Sequence, residues 1–197
     1  MGQAGTALVL LALVVVAAPP GMSQNEVVAL FGDSARTDCY AWVDEGYGVG
    51  GYYVFHYSAS GATGSRFLLP HMACLFDVEG PYLHYSPHAY VGRPSVGIQF
   101  EYGTCLTGWI FVAELWYVDS SGFGFPFCCE QPVLAHPYAS SGEPEAHDCA
   151  GAWKIVEGNS GFMIGDPSCP CSTPTGILSE MTTWGRIKAT FFEDGIN

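Results

Sequence analysis

Residues 96–102 alternate in character. Val96, Ile98, Phe100 and Tyr102 are apolar, and Gly97, Gln99 and Glu101 lie between them. A period of two puts the first set on one face of a β-strand and the second on the other, so this stretch reads as a half-buried strand with a wet face. Trp109 to Val118 (WIFVAELWYV) is apolar on both faces apart from Glu114. It predicts a central strand packed on both sides. Further strands are expected at 26–31, 51–57, 65–69, 82–85, 133–136, 153–156 and 161–164. Turn residues bound nearly all of them: Gly32-Asp33, Ser60-Gly61, Gly92-Arg93-Pro94, Asp119-Ser120-Ser121-Gly122 and Gly158-Asn159. Strands at this spacing, with no βαβ alternation, predict an all-β, antiparallel β-sandwich, immunoglobulin-like or jelly-roll.

The two ends depart from this pattern. Ala7 to Ala18 is an unbroken apolar run. It is shorter than the ~20 residues that cross a bilayer, and it has the length and position of a signal-peptide h-region. Small residues at Gly21 and Ser23 predict a cut before Gln24, giving a signal peptide over 1–23 and one secreted domain over 24–197. No later stretch is long and apolar enough to span a membrane. At the other end, Trp184, Ile187 and Phe191 follow an i, i+3, i+7 spacing behind Ser179 as N-cap. They predict a short C-terminal helical segment between Glu180 and Phe191, docked on the sandwich.

Export gives the cysteines a meaning. There are eight: Cys39, Cys74, Cys105, Cys128, Cys129, Cys149, Cys169 and Cys171. An even number in an exported chain reads as a disulfide framework, with about a hundred connectivities open. The adjacent Cys128 and Cys129, and Cys169 and Cys171, are expected to bond outward, because such small rings are strained. Paired half-sites for structural zinc are missing. The formal charge is −13 with only 6 basic residues. Phosphate recognition needs clustered Lys and Arg, so nucleic acid is not an expected partner, and neither are anionic membrane surfaces.

Several stretches together resemble a family of exported bacterial proteins of unknown function. These are Val28-Ala-Leu-Phe-Gly-Asp33 with Thr37-Asp38-Cys39, Gly61-Ala-Thr-Gly-Ser-Arg-Phe67, Gln99-Phe-Glu-Tyr-Gly-Thr-Cys105, Asp148-Cys149, Asp166-Pro-Ser-Cys-Pro-Cys171 and the closing Thr182-Thr-Trp-Gly-Arg-Ile-Lys188. Cys74 and the doubled Cys128-Cys129 depart from that pattern. The resemblance implies an exported β domain and brings no catalytic residues with it.

Candidate chemistry is sparse. Phe31-Gly32-Asp33-Ser34 is similar to the nucleophile block of the GDS(L) esterases, which would make Ser34 a nucleophile. That chemistry needs a His base with an Asp three residues before it near the C-terminus. No His follows His147 in this chain, and a Gly-Asp turn explains the same letters. Gly158-Asn159-Ser160-Gly161 and Ala146-His147-Asp148-Cys149 faintly resemble trypsin-like blocks but lie too close together for that fold. His84, His88 and His71 form a candidate metal set that Pro87 keeps off a helix. Asp33, Asp38, Asp44 and Glu45 are candidate oxygen ligands for Ca²⁺ without an EF-hand pattern. Otherwise no cofactor is expected.

Aromatics make up 14% of the chain. Trp42, Tyr47, Tyr52, Tyr82, Tyr85, Tyr90 and Tyr138 lie near expected turns. Exposed Tyr and Trp offer flat apolar platforms with a polar edge, suited to a glycan or protein partner. The expected function is therefore a non-enzymatic exported module, of binding or structural type, with the Ser34 esterase as the alternative. A row of solvent-facing rings on one sheet would favour binding.

Overall fold

A computed structural model describes residues 26–163, apart from 45, 73, 76, 122–124, 126 and 127, and gives residues 162 and 163 as backbone alone. The expected signal peptide, the C-terminal helical segment, Cys169 and Cys171 lie outside the described residues.

All regular structure among the described residues is β. The strands are β1 (Val27–Phe31), β2 (Trp42–Asp44), β3 (Val49–Phe67), β4 (Val78–Tyr85), β5 (Ala89–Arg93), β6 (Gly97–Asp119), β7 (Cys129–Gln131), β8 (Glu145–Asp148), β9 (Trp153–Ile155), β10 (Glu157–Asn159) and β11 (Gly161–Met163). Nine of them form one sheet, and β7 with β11 forms a second, two-stranded sheet. The sheet is mixed, because β10 runs parallel to β1, whereas the sequence pattern predicts antiparallel pairing throughout. After β9 the chain passes alongside the start of β1, where Glu157 N–H donates to Glu26 O at 2.8 Å.

Two long strands, β3 of 19 residues and β6 of 23, organise everything else. They pair with each other along their whole length, from Val49↔Val118 to Phe67↔Ile98. Their outer edges recruit different partners in each half. In the first half β1 and β2 flank β3, and β4 flanks β6. In the second half β8 flanks β3, and β5 flanks β6. Bulges interrupt the pairing at Ser58/Ala62 and Ala62/Gly64, where one half gives way to the other.

Each long strand was expected as two separate ones. The Ser60-Gly61 turn signal instead marks the irregularity in β3, with Gly61 at φ +94°. An added Cβ there would fall 2.7 Å from Cys149 Sγ and 2.8 Å from Cys105 Sγ, so the disulfide packs against the bare glycine. Val133–His136 forms no strand; Leu68↔Leu134 is an isolated bridge.

One apolar cluster draws side chains from both halves: Val28, Leu30, Tyr52, Val54, Leu115 and Tyr117 from the first, Phe67, Ile98, Phe100 and Tyr102 from the second. A single sheet buries both ends in one core only by curling over itself, so curvature here meets the demand that two stacked sheets meet in a sandwich. The short second sheet lies against the same core. A Cβ on Gly161 would sit 2.5 Å from the Tyr52 ring, and the Tyr117 hydroxyl donates to Gln131 Oε1 at 2.6 Å.

Two described bridges staple the fold. Cys74–Cys129 spans Cα atoms 5.9 Å apart, and Cys105–Cys149 spans 5.4 Å. Cys39 and Cys128 are disulfide-bonded as well. Cys129 thus bonds outward to Cys74 and not to its neighbour. Such bridges persist in oxidising compartments. No described helix is long and apolar enough to cross a membrane.

Candidate binding surface

Strand alternation assigns the residues of β3 and β6 to opposite faces. Tyr52, Val54 and His56 point into the main core, and Tyr53, Phe55 and Tyr57 point to the other face, where Val27, Ala29, Phe31 and Phe55 form a second buried cluster with Tyr53, Tyr57, Trp109 and Phe111 packed against it. On β6 a bulge at Val112 resets the count, since Val54 pairs with Ala113 and Phe55 pairs with Phe111. Val112 and Ala113 both turn inward and are fully buried. Trp109, Phe111, Glu114 and Trp116 face outward and are only half-buried. The expectation that 109–118 packs on both sides holds at Trp109 and Phe111, which lie against the second cluster, and is corrected at Glu114 and Trp116, whose face is partly open.

The register aligns the outward rings in rows across the sheet. Tyr82 pairs with Trp116, Trp116 with Gly51, and Gly51 with Trp42. Gly51 lacks a side chain where one would collide with its surroundings: a Cβ would lie 2.8 Å from the Trp42 ring and 2.1 Å from the Leu115 carbonyl oxygen. The Trp42 ring takes that space and meets Trp116 edge-on at 6.0 Å. His84 stacks flat on Trp116, with centroids 3.5 Å apart and planes 8° from parallel. The next row is Tyr85, Glu114 and Tyr53, ending on the buried Phe31. Tyr85 stacks with Phe111 at 6.2 Å, and Tyr53 lies 6.4 Å from Phe111. A last group joins Phe55, Tyr57 and Trp109, with the Arg36 guanidinium 5.1 Å above Phe55 and 5.3 Å above Trp109.

Polar groups are set among these rings. Trp116 Nε1–H donates to Glu114 Oε1 at 3.0 Å, and the Tyr82 hydroxyl donates to Glu79 Oε2 at 2.7 Å. Burial, then the nearby Glu114 carboxylate, raises the pKa of Tyr53. Flat apolar faces with a few fixed acceptors are the composition of a recognition surface.

The structure sorts the seven aromatics picked out near turns. Tyr52 is core, and Trp42 is half-buried in the outer row. Tyr47, Tyr82, Tyr85, Tyr90 and Tyr138 are exposed. Tyr82 and Tyr85 sit with the outer rows. Tyr82 and Tyr90 line a cleft of about 600 Å³ together with His71, Leu83, Arg93 and Ser95. Sequence reasoning missed Tyr53, Phe111 and Trp116, because the apolar run of β6 hides which of its residues face out.

The other candidates are dispersed. Ser34 is exposed in the turn after β1, and no hydrogen bond among the described residues joins it to a histidine. The Asp33 carboxylate accepts from Thr37 N–H at 2.8 Å, Thr37 Oγ1 at 2.5 Å and Asp38 N–H at 3.2 Å. Asp38 accepts from Tyr40 N–H, and Asp44 from Gly46 N–H. These aspartates hold their own loops. Among the described residues no three acidic, His or Cys side chains gather as a metal site. His88 Nε2 lies 2.9 Å from Phe111 O and His71 Nδ1 lies 3.3 Å from Gly80 O, so the three histidines are spent on separate partners.

A second polar group lies inside the sheet's curl. His56 is fully buried, and its Nδ1 lies 3.0 Å from the Tyr102 hydroxyl, which donates to Ser65 Oγ at 2.7 Å. Burial lowers the His56 pKa to about 4, so the ring is neutral. Nearby, Glu26 Oε1 accepts from Ser58 at 2.8 Å, Ser60 at 2.7 Å and Lys154 at 2.6 Å. Burial alone would raise the Glu26 pKa, but these hydrogen bonds outweigh it and hold the carboxylate ionised. The first set ties β3 to β6, and the second ties the residue before β1 to β3 and β9, with Ser60 at its exposed end. Compared with family models, curated proteins and solved structures, the chain finds no match.

Proposed function

We propose that the protein is an exported, non-enzymatic module that binds glycans through the aromatic outer face of its curled, sandwich-like β domain. Export rests on the Ala7–Ala18 run and on the disulfides; the resemblance to exported bacterial proteins belongs to the same reading. The observation that carries the binding reading is the alignment of Tyr82, Trp116 and Trp42 in one row across four strands, with Gly51 between the two indoles and with Tyr85 and Tyr53 in the row beside them. Sugar rings present flat C–H faces that stack on such platforms, and their hydroxyls find acceptors in Glu114 and Glu79. The bridge pairs and the inner hydrogen-bond network give the face a rigid backing, which limits the entropy lost on binding.

A glycan array probed with the purified protein tests this. Defined oligosaccharide spots should bind, and Trp116→Ala with Tyr85→Ala should remove the signal while circular dichroism stays β-type. Uniformly blank spots would refute sugar recognition.

A further inference from the structure

We infer that the cleft between β4 and the β5–β6 turn selects sugars that carry a carboxylate, such as uronic acids. This rests on the glycan reading and sharpens it.

Arg93 carries the argument. The chain has few cations, and the described ones are otherwise engaged. Arg66 pairs with Glu145 and covers the Trp153 ring, Lys154 pairs with Glu26, and Arg36 lies over Phe55 and Trp109. Among the described residues, Arg93 is the one cation with neither a carboxylate nor an aromatic partner. The molecule has a formal charge of −13, yet no described carboxylate pairs with this guanidinium.

Its position is built, not incidental. Arg93 ends β5 and begins a tight turn, closed by Val96 N–H donating to Arg93 O at 3.2 Å. Leu69 N–H donates to Pro94 O at 2.9 Å, which anchors that turn to the chain beyond β3. The cleft wall opposite is β4, with Pro81, Tyr82 and Leu83; Tyr90 and Pro94 complete an apolar, ring-bearing lining. Tyr82 is 48% exposed and Tyr90 51%, so both rings are available to a ligand.

The chemistry fits an acidic sugar better than an acidic peptide. A guanidinium binds a carboxylate through two parallel hydrogen bonds. The Tyr82 and Tyr90 faces take the C–H face of the sugar ring. Glu79, fixed on the Tyr82 hydroxyl, accepts from a sugar hydroxyl, a donor that the side chains of an acidic peptide lack. Tyr82 also belongs to the outer aromatic row, so one chain of sugars has a continuous path from those rings to Arg93.

Isothermal calorimetry with four probes tests this: tetragalacturonate, its methyl ester, cellotetraose and tetraglutamate. Tetragalacturonate should bind about tenfold more tightly than its methyl ester, which keeps the ring and loses the charge. Arg93→Met should remove that preference, and Arg93→Lys should restore it in part. Tyr82→Ala should weaken every sugar. Binding of neutral sugars with equal affinity for the acid and its ester would overturn the Arg93 inference alone. No binding of any sugar would overturn the glycan reading with it. Tetraglutamate binding as tightly as tetragalacturonate would reassign the cleft to acidic peptides.

Discussion

The indoles of Trp42 and Trp116 meet edge to face, with centroids 6.0 Å apart and planes at 81°, in the space left open by Gly51. A methyl at that position collides with backbone as well as with the Trp42 ring, so it cannot be relieved by a rotamer change. Gly51→Ala should lower stability by about 3 kcal/mol, as overpacking does. It should also alter the near-ultraviolet circular dichroism that two coupled indoles produce. An unchanged spectrum and melting temperature would mean that Trp42 does not lie across β3.

The buried imidazole of His56 makes stability depend on acid. Its pKa in the fold is about 4, below the ordinary 6.5, because burial disfavours the charged ring; Glu26 opposes the shift and Lys154 assists it. The unfolded chain therefore takes up the proton first. Stability from this group is complete above pH 6.5 and is lost as pH falls toward 4, by about 3 kcal/mol in all. His136, lowered by burial and then by Arg66, adds in the same direction. Urea midpoints measured at pH 7.5 and 4.5 should differ strongly in the wild type. They should differ much less in His56→Gln, even though that variant is weaker at neutral pH.

Cys105–Cys149 closes a loop across the junction of the two half-sheets, with 44 residues of sequence separation. The chain-entropy relation assigns such a bridge about 4 kcal/mol. Replacing both cysteines with alanine should lower the melting temperature, and dithiothreitol should do the same to the wild type. A melting curve indifferent to reductant would count against the bridges as the staple.

Arg66 and Glu145 form an ion pair whose side chains are 14% and 5% exposed. Arg66 Nε–H donates to Glu145 at 2.8 Å, the guanidinium lies 4.1 Å from the Trp153 ring, and Ser141 Oγ donates to the same carboxylate at 3.0 Å. Removing one partner strands the other in a nearly dry site. Glu145→Ala should cost about 3 kcal/mol. Arg66→Lys should cost about 1 kcal/mol, since an ammonium keeps the charge and loses the planar fork. Urea denaturation of the two variants checks the order: no loss in Arg66→Lys would show that the planar geometry contributes nothing, and equal losses that charge alone does not hold the pair.

Much of the strand content is legible in the chain, and the connections are not. The alternation at 96–102 and the apolar run at 109–118 both mark strand correctly. They belong to one strand, because β6 continues through Gly103 and Gly108 with its partner β3 alongside. Ser60-Gly61 is read as a turn for the same reason. A glycine with positive φ serves a bulge as readily as a turn, and only the partner strand distinguishes them. The short β2, β7, β8 and β10 escape notice because strands of 3 or 4 residues carry almost no periodic signal.

By itself the sequence determined an all-β body, a cysteine use typical of oxidising compartments, a strongly acidic composition and a surplus of aromatic rings. These follow from composition and from periods of a few residues, which local chemistry sets. Tertiary structure alone decided which rings face out. Tyr52 and Tyr53 are neighbours of one type, yet one lies in the core and the other on the open face. Their roles depend on the curl of the sheet and on one bulge at Val112, and those arise from pairing between residues far apart in the chain. The same holds for Arg93, whose lack of a carboxylate or aromatic partner among the described residues is a fact about where the other described charges came to rest.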